Sequence, residues 1–202
     1  MPDQLPFIFA RRITNLTDAR YFAAKDAAYL TFILEPSAEG FLDPVYMQAM
    51  REWVEGPAII GEYPSPTPAD NINEAVAFYK LDGVLLPLSH DLPLIQAENI
   101  WIRVPVDTPD LENILSVNNQ YATGWILELP AGSTSWLPLA ATIQPLCAQY
   151  AIVLQYDGAP DEIEAVMSSI GPAGLGLRGG EEEQVGVKSF DDIEAVFDYL
   201  DR

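Results

Sequence analysis

The chain has very few of the residues that hold metals or form cross-links. Cys147 is its only cysteine and His90 its only histidine among 202 residues. A single cysteine excludes an internal disulfide and a multi-cysteine metal site, and it is typical of a reducing compartment. A single histidine disfavours both a histidine-rich metal centre and a serine–histidine catalytic triad. We therefore expect neither a metal nor a cofactor.

Positive charge and long apolar runs are also scarce. Ten lysines and arginines stand against 30 aspartates and glutamates, which gives a net charge of −20. Such a charge repels nucleic-acid phosphates and anionic membrane surfaces. No segment reaches the roughly 18 uninterrupted apolar residues that a membrane helix needs, and no basic region precedes the first apolar run. We expect a cytoplasmic protein without a nucleic-acid or membrane partner.

Short apolar runs, by contrast, recur along the whole chain, and an amphipathic stretch follows each of them. Asn15 is expected to cap the first of these helices, because Asp18 follows three residues later in a capping-box arrangement. The runs predict eight strands, at residues 6–10, 29–34, 58–63, 83–88, 100–104, 124–129, 151–156 and 175–179.

Strands that are continuous apolar runs suit a parallel sheet covered by helices. Eight strand–helix units without a dividing linker predict an α/β fold, a closed (β/α)8 (TIM) barrel that occupies residues 1–202 as a single domain. An open, doubly wound sheet is the structural alternative, because the pattern alone fits both.

Several stretches are familiar. "ITNLTDAR" resembles the first loop and helix of the phosphoribosylanthranilate isomerases of tryptophan biosynthesis, whose barrel opens with a pattern like K-I-C-G-I-T-N-x-x-D-A. "FILEPSAEGFLDPVYMQ", "WVEGPAIIGEY" and "LDGVLLP" are similar to later strands of that family, and "GLGLRGGEEEQVGVKSFDDIEAVFDYL" is similar to its eighth unit. The resemblance follows the chain in order and implies the same barrel.

The resemblance also implies a chemistry, namely an Amadori rearrangement that needs a general acid, a general base and a phosphate-binding site. Arg11 stands at the position of the family's catalytic cysteine, the base, and Arg12 at that of the following glycine. An arginine stays protonated at physiological pH and cannot act as a base. Glu128 stands at the position of the family's acid, an aspartate, and its longer side chain displaces the carboxyl group by about 1 Å.

Substrate-binding positions differ from the family as well. Gly40 replaces an arginine after the second strand, and Asp157 lies in the loop after the seventh strand, where the resemblance implies a phosphate. The eighth strand ends in "RGG" instead of S-S-G. Arg178 and the Gly179–Gly180 backbone could still hold a phosphate, sulfate or carboxylate.

Arg11, Arg178 and Arg103 all fall near the carboxyl ends of predicted strands, the face at which such barrels bind ligands. This placement favours an anion-binding mouth. The alternative is that the arginines pair with barrel carboxylates, for which the candidates are Glu35, Glu62, Glu128 and Asp157. Glu62 is either a substitute base or, as we favour, a carboxylate that neutralises Arg11, and His90 follows the fourth strand on the same side.

Three hypotheses for the function follow. The first is a divergent isomerase-like barrel with a degenerate active site, which has lost the Amadori isomerisation and binds a small anionic or phosphorylated ligand at its mouth. The second is a working intramolecular isomerase acting on a phosphorylated sugar, with Glu128 as the acid and a substituted base such as Glu62. The third is a non-catalytic interaction scaffold.

Overall fold

The computed structural model describes residues 6–88, 92–179, 182–184, 187–188 and 191–200. His90 and Gly180, both considered above, lie outside these residues. Each barrel strand is a run of four to seven residues, and the outward-facing side of each is almost entirely aliphatic or aromatic. The strands are Phe7–Arg11 (β1), Tyr29–Ile33 (β2), Ala58–Glu62 (β3), Gly83–Pro87 (β4), Asn99–Pro105 (β5), Gly124–Glu128 (β6), Ile152–Gln155 (β7) and Gly174–Arg178 (β8).

The eight strands form one closed barrel in which every neighbouring pair is parallel. β1 closes it by pairing with β8 from Phe7 opposite Gly174 to Arg11 opposite Arg178. The predicted single-domain (β/α)8 barrel is therefore confirmed, and the open doubly wound sheet is excluded. Two further short strands, Glu182–Gln184 (β9) and Val187–Lys188 (β10), form an antiparallel pair after β8.

Seven α-helices surround the barrel within the described residues. They are Leu16–Ala24 (α1), Pro44–Arg51 (α2), Ala69–Tyr79 (α3), Leu111–Asn118 (α4), Ala140–Cys147 (α5), Ile163–Ile170 (α6) and Asp191–Tyr199 (α7). Helix α1 begins as predicted, because the Asn15 side chain accepts a hydrogen bond from the backbone N–H of Asp18. None of the helices in this part of the chain has the length and apolar character that crossing a membrane requires.

Three units depart from the predicted strand–helix regularity. One is the unit after β7, where a 3-10 turn, Pro160–Glu162, precedes α6. Among the described residues between β4 and β5, the short helix that the sequence predicts is a 3-10 turn, Leu92–Leu94, rather than an α-helix. The helix expected after β6 starts with a separate 3-10 turn, Leu137–Leu139, and becomes α-helical at Ala140. A proline in the turn shapes this entry, since proline fixes its backbone and donates no hydrogen bond.

The strands bury both of their faces, which explains their continuous apolar character. Outward-facing residues pack under the helices, and inward-facing residues form a second core along the barrel axis. The inner core is filled by a layer of side chains from six strands, namely Phe9, Ile60, Leu85, Trp101, Ile126 and Val153. Trp101 fits because its neighbour on β6 is Gly124, where a Cβ atom would lie 2.3 Å from the indole ring.

Candidate functional site

A polar layer lies directly above this inner core, at the carboxyl ends of the strands. Since strand side chains alternate between the two faces, the residue two positions after each core residue again points into the barrel. The layer is formed in this way by Arg11, Glu62, Arg103, Glu128 and Gln155. Four predicted site residues, Arg11, Glu62, Arg103 and Glu128, are thus brought together at one end of the barrel axis, and Gln155, which the sequence did not identify, joins them.

Arg11 is the centre of this layer. Its side chain has no solvent exposure, although it carries a full charge. One terminal nitrogen, Nη2, lies 2.6 Å from Glu62 Oε1, and the other, Nη1, lies 2.8 Å from both Glu128 Oε1 and Gln155 Oε1. Burial alone would lower the pKa of Arg11, but the charges of Glu62 and Glu128 outweigh it and raise the pKa above its usual value.

Space for this long side chain comes from β8. Gly176 faces the barrel interior between Arg11 and Gln155, and a Cβ atom there would lie 3.0 Å from Gln155 Oε1 and 3.6 Å from Arg11 Cδ. A Cβ atom at position 176 would crowd Gln155, one partner of the hydrogen bond, and would lie at ordinary contact distance from Arg11. The glycine thus lets the guanidinium group lie across the barrel axis.

Glu62 is as completely buried as Arg11. Its Oε1 pairs with Arg11, and its Oε2 accepts a hydrogen bond from the Thr31 hydroxyl at 2.8 Å. Burial would raise the pKa of Glu62, yet the charge and hydrogen bonds of Arg11 and Thr31 hold that pKa below its ordinary value. Glu62 is therefore an ionised partner of Arg11 that no solvent reaches.

Glu128 connects the buried ion pair to the surface. Oε1 binds Arg11, and Oε2 accepts from Arg103 Nη1 at 3.2 Å, while 19 % of the side chain is exposed. Burial again favours the neutral acid, but the charges of Arg11 and Arg103 lower the pKa of Glu128 below its usual range.

Arg103 also donates to the carbonyl oxygen of Pro64. The sequence placed Arg103 at the end of the fifth strand, but β5 continues to Pro105.

Arg12 is a site residue that the sequence did not identify as one. Its backbone is in the left-handed region, at a φ of 56°, and its N–H donates to the Thr31 hydroxyl oxygen at 2.8 Å. A left-handed residue at the end of β1 turns its side chain into the mouth, where Nε lies 3.4 Å from Glu62. The glycine of the family pattern at this position was the available signal, because glycine favours that conformation.

Arg178 and Gly179 lie at the rim, at the end of β8. Arg178 Nη2 is 3.8 Å from Asp157 Oδ2, and both side chains are largely exposed. Gly179 is in close contact with the first helix, since a Cβ atom there would lie 2.3 Å from Asp18 Oδ2. The carboxylate of Asp18 therefore covers one side of the Gly179 backbone, where an anion had been predicted.

A cavity of about 300 Å³ opens above the polar layer. Arg178, Arg103 and Glu128 line it together, whereas Arg11 and Glu62 lie beneath its floor and Gly179 lies outside its lining. The remaining wall comes from the loop after β6 and from the ends of β1 and β7. The complete lining is Arg12, Arg103, Glu128, Leu129, Pro130, Ala131, Gly132, Ser133, Thr134, Gln155, Asp157 and Arg178.

The side chains around the mouth give little support to a metal site. Within the described ranges, no group of three or more histidine, cysteine, aspartate or glutamate side chains is placed to hold an ion. The carboxylates of the mouth bind arginines instead. The site is thus an arginine–carboxylate network below an open, polar cavity.

The sequence matches no protein-family model and no curated protein. The structure, however, is similar to phosphoribosylanthranilate isomerase from Thermus thermophilus, with a TM-score of 0.75 and 24% identity over 96% of this chain and 98% of that one. The Thermotoga maritima isomerase gives a TM-score of 0.75 at 17% identity, over 97% of this chain and 98% of the other.

A 3-hexulose-6-phosphate synthase is also similar, with a TM-score of 0.68 and 11% identity over 96% of this chain and 98% of that one. The same barrel thus occurs in proteins of different activity, as is common for this fold. Over nearly its whole length, the chain has the fold of the phosphoribosylanthranilate isomerases.

Proposed function

We propose that this protein is a divergent, cytoplasmic phosphoribosylanthranilate isomerase-like barrel that no longer catalyses the isomerisation and instead binds a small anionic ligand at its mouth. The proposed loss of catalysis rests on one observation. Arg11, at the position of the family's catalytic base, has no solvent exposure and is held by two carboxylates. A guanidinium group with a raised pKa cannot accept a proton.

The alternative base, Glu62, is unsuited to the task for a different reason. A general base must come within hydrogen-bond distance of the proton that it removes. Both oxygens of Glu62 are bonded to Arg11 or Thr31, and the side chain has no exposure. Releasing it would leave Arg11 without one of its two carboxylates inside the barrel, which is costly.

The acid is compromised as well. A general acid has to be protonated near neutral pH, which enzymes achieve by raising the pKa of a carboxyl group. The pKa of Glu128 is lowered, and both of its oxygens accept hydrogen bonds from arginines. Arg11 and Glu128, at the family's base and acid positions, thus form an ion pair with each other. This pairing supports a structural role for both residues.

Anion binding is supported by the charges around the cavity. Three arginines line it, Arg12, Arg103 and Arg178, against two carboxylates, Glu128 and Asp157. This concentration of arginines is notable in a chain with a net charge of −20. Arginine binds phosphate and carboxylate through paired N–H donors. The volume is at the lower end of the range for small-molecule sites.

The loss of catalysis is tested with purified protein and phosphoribosylanthranilate. We expect no turnover above the uncatalysed rate, and no rescue of a strain that lacks the isomerase. Turnover that Glu128→Gln abolishes would overturn the proposal in favour of an active isomerase. A Glu112→Gln variant, altered at an exposed position of α4, serves as the control for removal of a negative charge.

Ligand binding is tested separately, by thermal shift with phosphate, sulfate, ribose 5-phosphate and succinate. We expect a concentration-dependent rise in the melting temperature with at least one of these anions, since a ligand of the native state stabilises it by mass action. Absence of any shift up to high millimolar concentrations, together with absence of turnover, would favour the non-catalytic scaffold.

A further inference from the structure

Arg12 has a backbone conformation that is unusual for its place in the fold. Four residues other than glycine have a positive φ in the described part of the chain, Arg12, Asp26, Lys80 and Asp110. Asp26 and Lys80 follow helices, and Asp110 precedes one. Left-handed residues are common after helices, and aspartate tolerates this conformation in turns. Arg12 instead follows a barrel strand, and it does so at the wall of the mouth cavity.

The backbone of Arg12 is held in this conformation by β2. Its N–H donates to the Thr31 side chain at 2.8 Å, and the next N–H, of Ile13, donates to the Thr31 carbonyl oxygen at 2.8 Å. Any residue at position 12 must therefore adopt a positive φ. Glycine does so without steric cost, whereas the Cβ of an arginine clashes with its own backbone.

The local structure gains little from the arginine side chain. Glu62 is already neutralised by Arg11 at 2.6 Å, and Arg12 adds only a long contact of 3.4 Å through Nε. The two terminal nitrogens of Arg12 make no hydrogen bond to any described residue, although the side chain is only 34 % exposed. These nitrogens face the mouth cavity. The other two arginines that line the cavity are each close to a carboxylate, Arg103 to Glu128 and Arg178 to Asp157.

We propose that Arg12 is the principal anion-recognising residue of the mouth, and that its ligand is a small oxyanion whose phosphate or carboxylate group binds the two terminal nitrogens of the guanidinium. The inference rests on the proposed ligand-binding function and deepens it. The fixed, left-handed backbone presents the guanidinium group to the cavity in a defined position. The fold imposes the positive φ at residue 12, and ligand binding explains why an arginine rather than a glycine occupies the position despite the steric cost.

The test compares wild-type protein with Arg12→Ala and Arg12→Gly by isothermal titration. Inorganic phosphate and succinate are the probes, so that the two arms distinguish a phosphate from a carboxylate ligand. We expect both substitutions to weaken binding of the preferred anion at least tenfold. The matched control, Arg20→Ala, removes the same charge from an exposed helix and should change the affinity less than twofold.

A second measurement does not depend on ligand. Without any anion, Arg12→Gly should melt at a higher temperature than Arg12→Ala, because alanine retains the Cβ that opposes a positive φ. Circular dichroism confirms that both variants are folded. An Arg12→Ala protein as stable as Arg12→Gly would overturn the argument from backbone strain.

The outcomes separate the inference from the function on which it rests. If wild-type protein and Arg12→Ala bind the anion equally, the role of Arg12 is overturned while the ligand-binding mouth stands. If the wild type binds neither phosphate nor succinate, both the role of Arg12 and the oxyanion-binding function fall. Loss of binding in the Arg12 variants with binding retained in Arg20→Ala supports both.

Discussion

Arg11 and Glu62 form an ion pair of 2.6 Å between side chains that are both fully buried. Removing two charges from water is costly, and the attraction between them repays that cost only when their other polar atoms are also bonded. Thr31 completes the hydrogen bonding of Glu62, and Glu128 and Gln155 bind the second terminal nitrogen of Arg11, whereas Arg11 Nε has no hydrogen-bond partner among the described residues. The barrel therefore depends on this network as a unit.

Removing one partner of the pair is expected to be far more damaging than removing both. Arg11→Met leaves the buried Glu62 with only the Thr31 hydrogen bond and the long contact to Arg12, and we expect it to lower the free energy of unfolding by about 3–5 kcal/mol. Adding Glu62→Leu should recover most of that loss, since an apolar pair of similar volume fits the top of the inner core. Urea denaturation measures both changes.

The exposed arginine Arg20 provides the control for this pair of variants. Arg20→Ala should change the free energy of unfolding by less than about 0.5 kcal/mol. An Arg11→Met protein that loses less than about 1 kcal/mol, or a double variant no more stable than the single one, would contradict the dependence on the network.

Acid should destabilise the protein through the same carboxylates. The pKa values of Glu62 and Glu128 are lowered in the folded state, so their contribution is complete above the unfolded value of about 4.3 and is lost as the pH falls through the folded values. The free energy of unfolding should thus fall steadily below about pH 5. Urea denaturation at a series of pH values between neutral and strongly acidic measures this.

Replacing one of these carboxylates should flatten the acid dependence. Glu128→Gln removes one titrating group, so the loss of stability on acidification should be smaller than in the wild type. Glu112→Gln, an exposed change on α4, should leave the profile unaltered. Equal pH profiles for Glu128→Gln and wild type would show that the Glu128 ion pairs are energetically unimportant.

The cap of the first helix can be tested without disturbing the mouth network. Asn15→Ala removes the acceptor of the Asp18 N–H bond at 2.9 Å and should lower the free energy of unfolding by about 1 kcal/mol. Thr17→Ala, an exposed change in the same turn, should alter it by less than about 0.5 kcal/mol. Thermal and urea denaturation distinguish the two, and equal stabilities would contradict the capping role.

The contact between Gly124 and Trp101 should be intolerant of even one methyl group. A Cβ atom at position 124 would lie 2.3 Å from the indole ring and 2.7 Å from the Ala151 carbonyl oxygen. Because the carbonyl belongs to the barrel backbone, Gly124→Ala should cost about 1–3 kcal/mol of stability. A melting temperature equal to that of the wild type would show that the ring moves aside freely.

Much of the fold follows from local sequence properties. Continuous apolar strands, regular spacing of eight units and the Asn15 cap are consequences of burial and hydrogen bonding that neighbouring residues decide together. These features predicted the closed barrel and the start of α1 correctly. The short helix at Leu92–Leu94 was predicted, but its 3-10 type was not, since an α-helix and a single 3-10 turn have similar short patterns.

The candidate site shows the limit of such prediction at Arg11. On the basis of charge alone, the sequence could not distinguish which carboxylates pair with the arginines of the mouth. The four candidates were Glu35, Glu62, Glu128 and Asp157. Glu35 instead accepts hydrogen bonds from Ser65 and Ser37, and Asp157 lies near Arg178 at the rim. Only Glu62 and Glu128 project into the barrel at the level of Arg11, a level that strand register sets.

The sequence by itself determined the eight strand–helix units, the first helix cap and the presence of arginines at the strand ends, because each depends on residues close together in the chain. Closure of the barrel depends on the pairing of β1 with β8, from opposite ends of the chain, and the tertiary structure decided it. The tertiary structure decided that Arg11 is buried and paired while Arg12 faces the cavity. Glu62 is 51 residues away from Arg11 in the sequence, and Gly176 on β8 leaves room beside the Arg11 and Gln155 side chains. Arg11 therefore pairs with the carboxylates that lie within reach of it across the closed barrel, since all the candidate carboxylates carry the same charge.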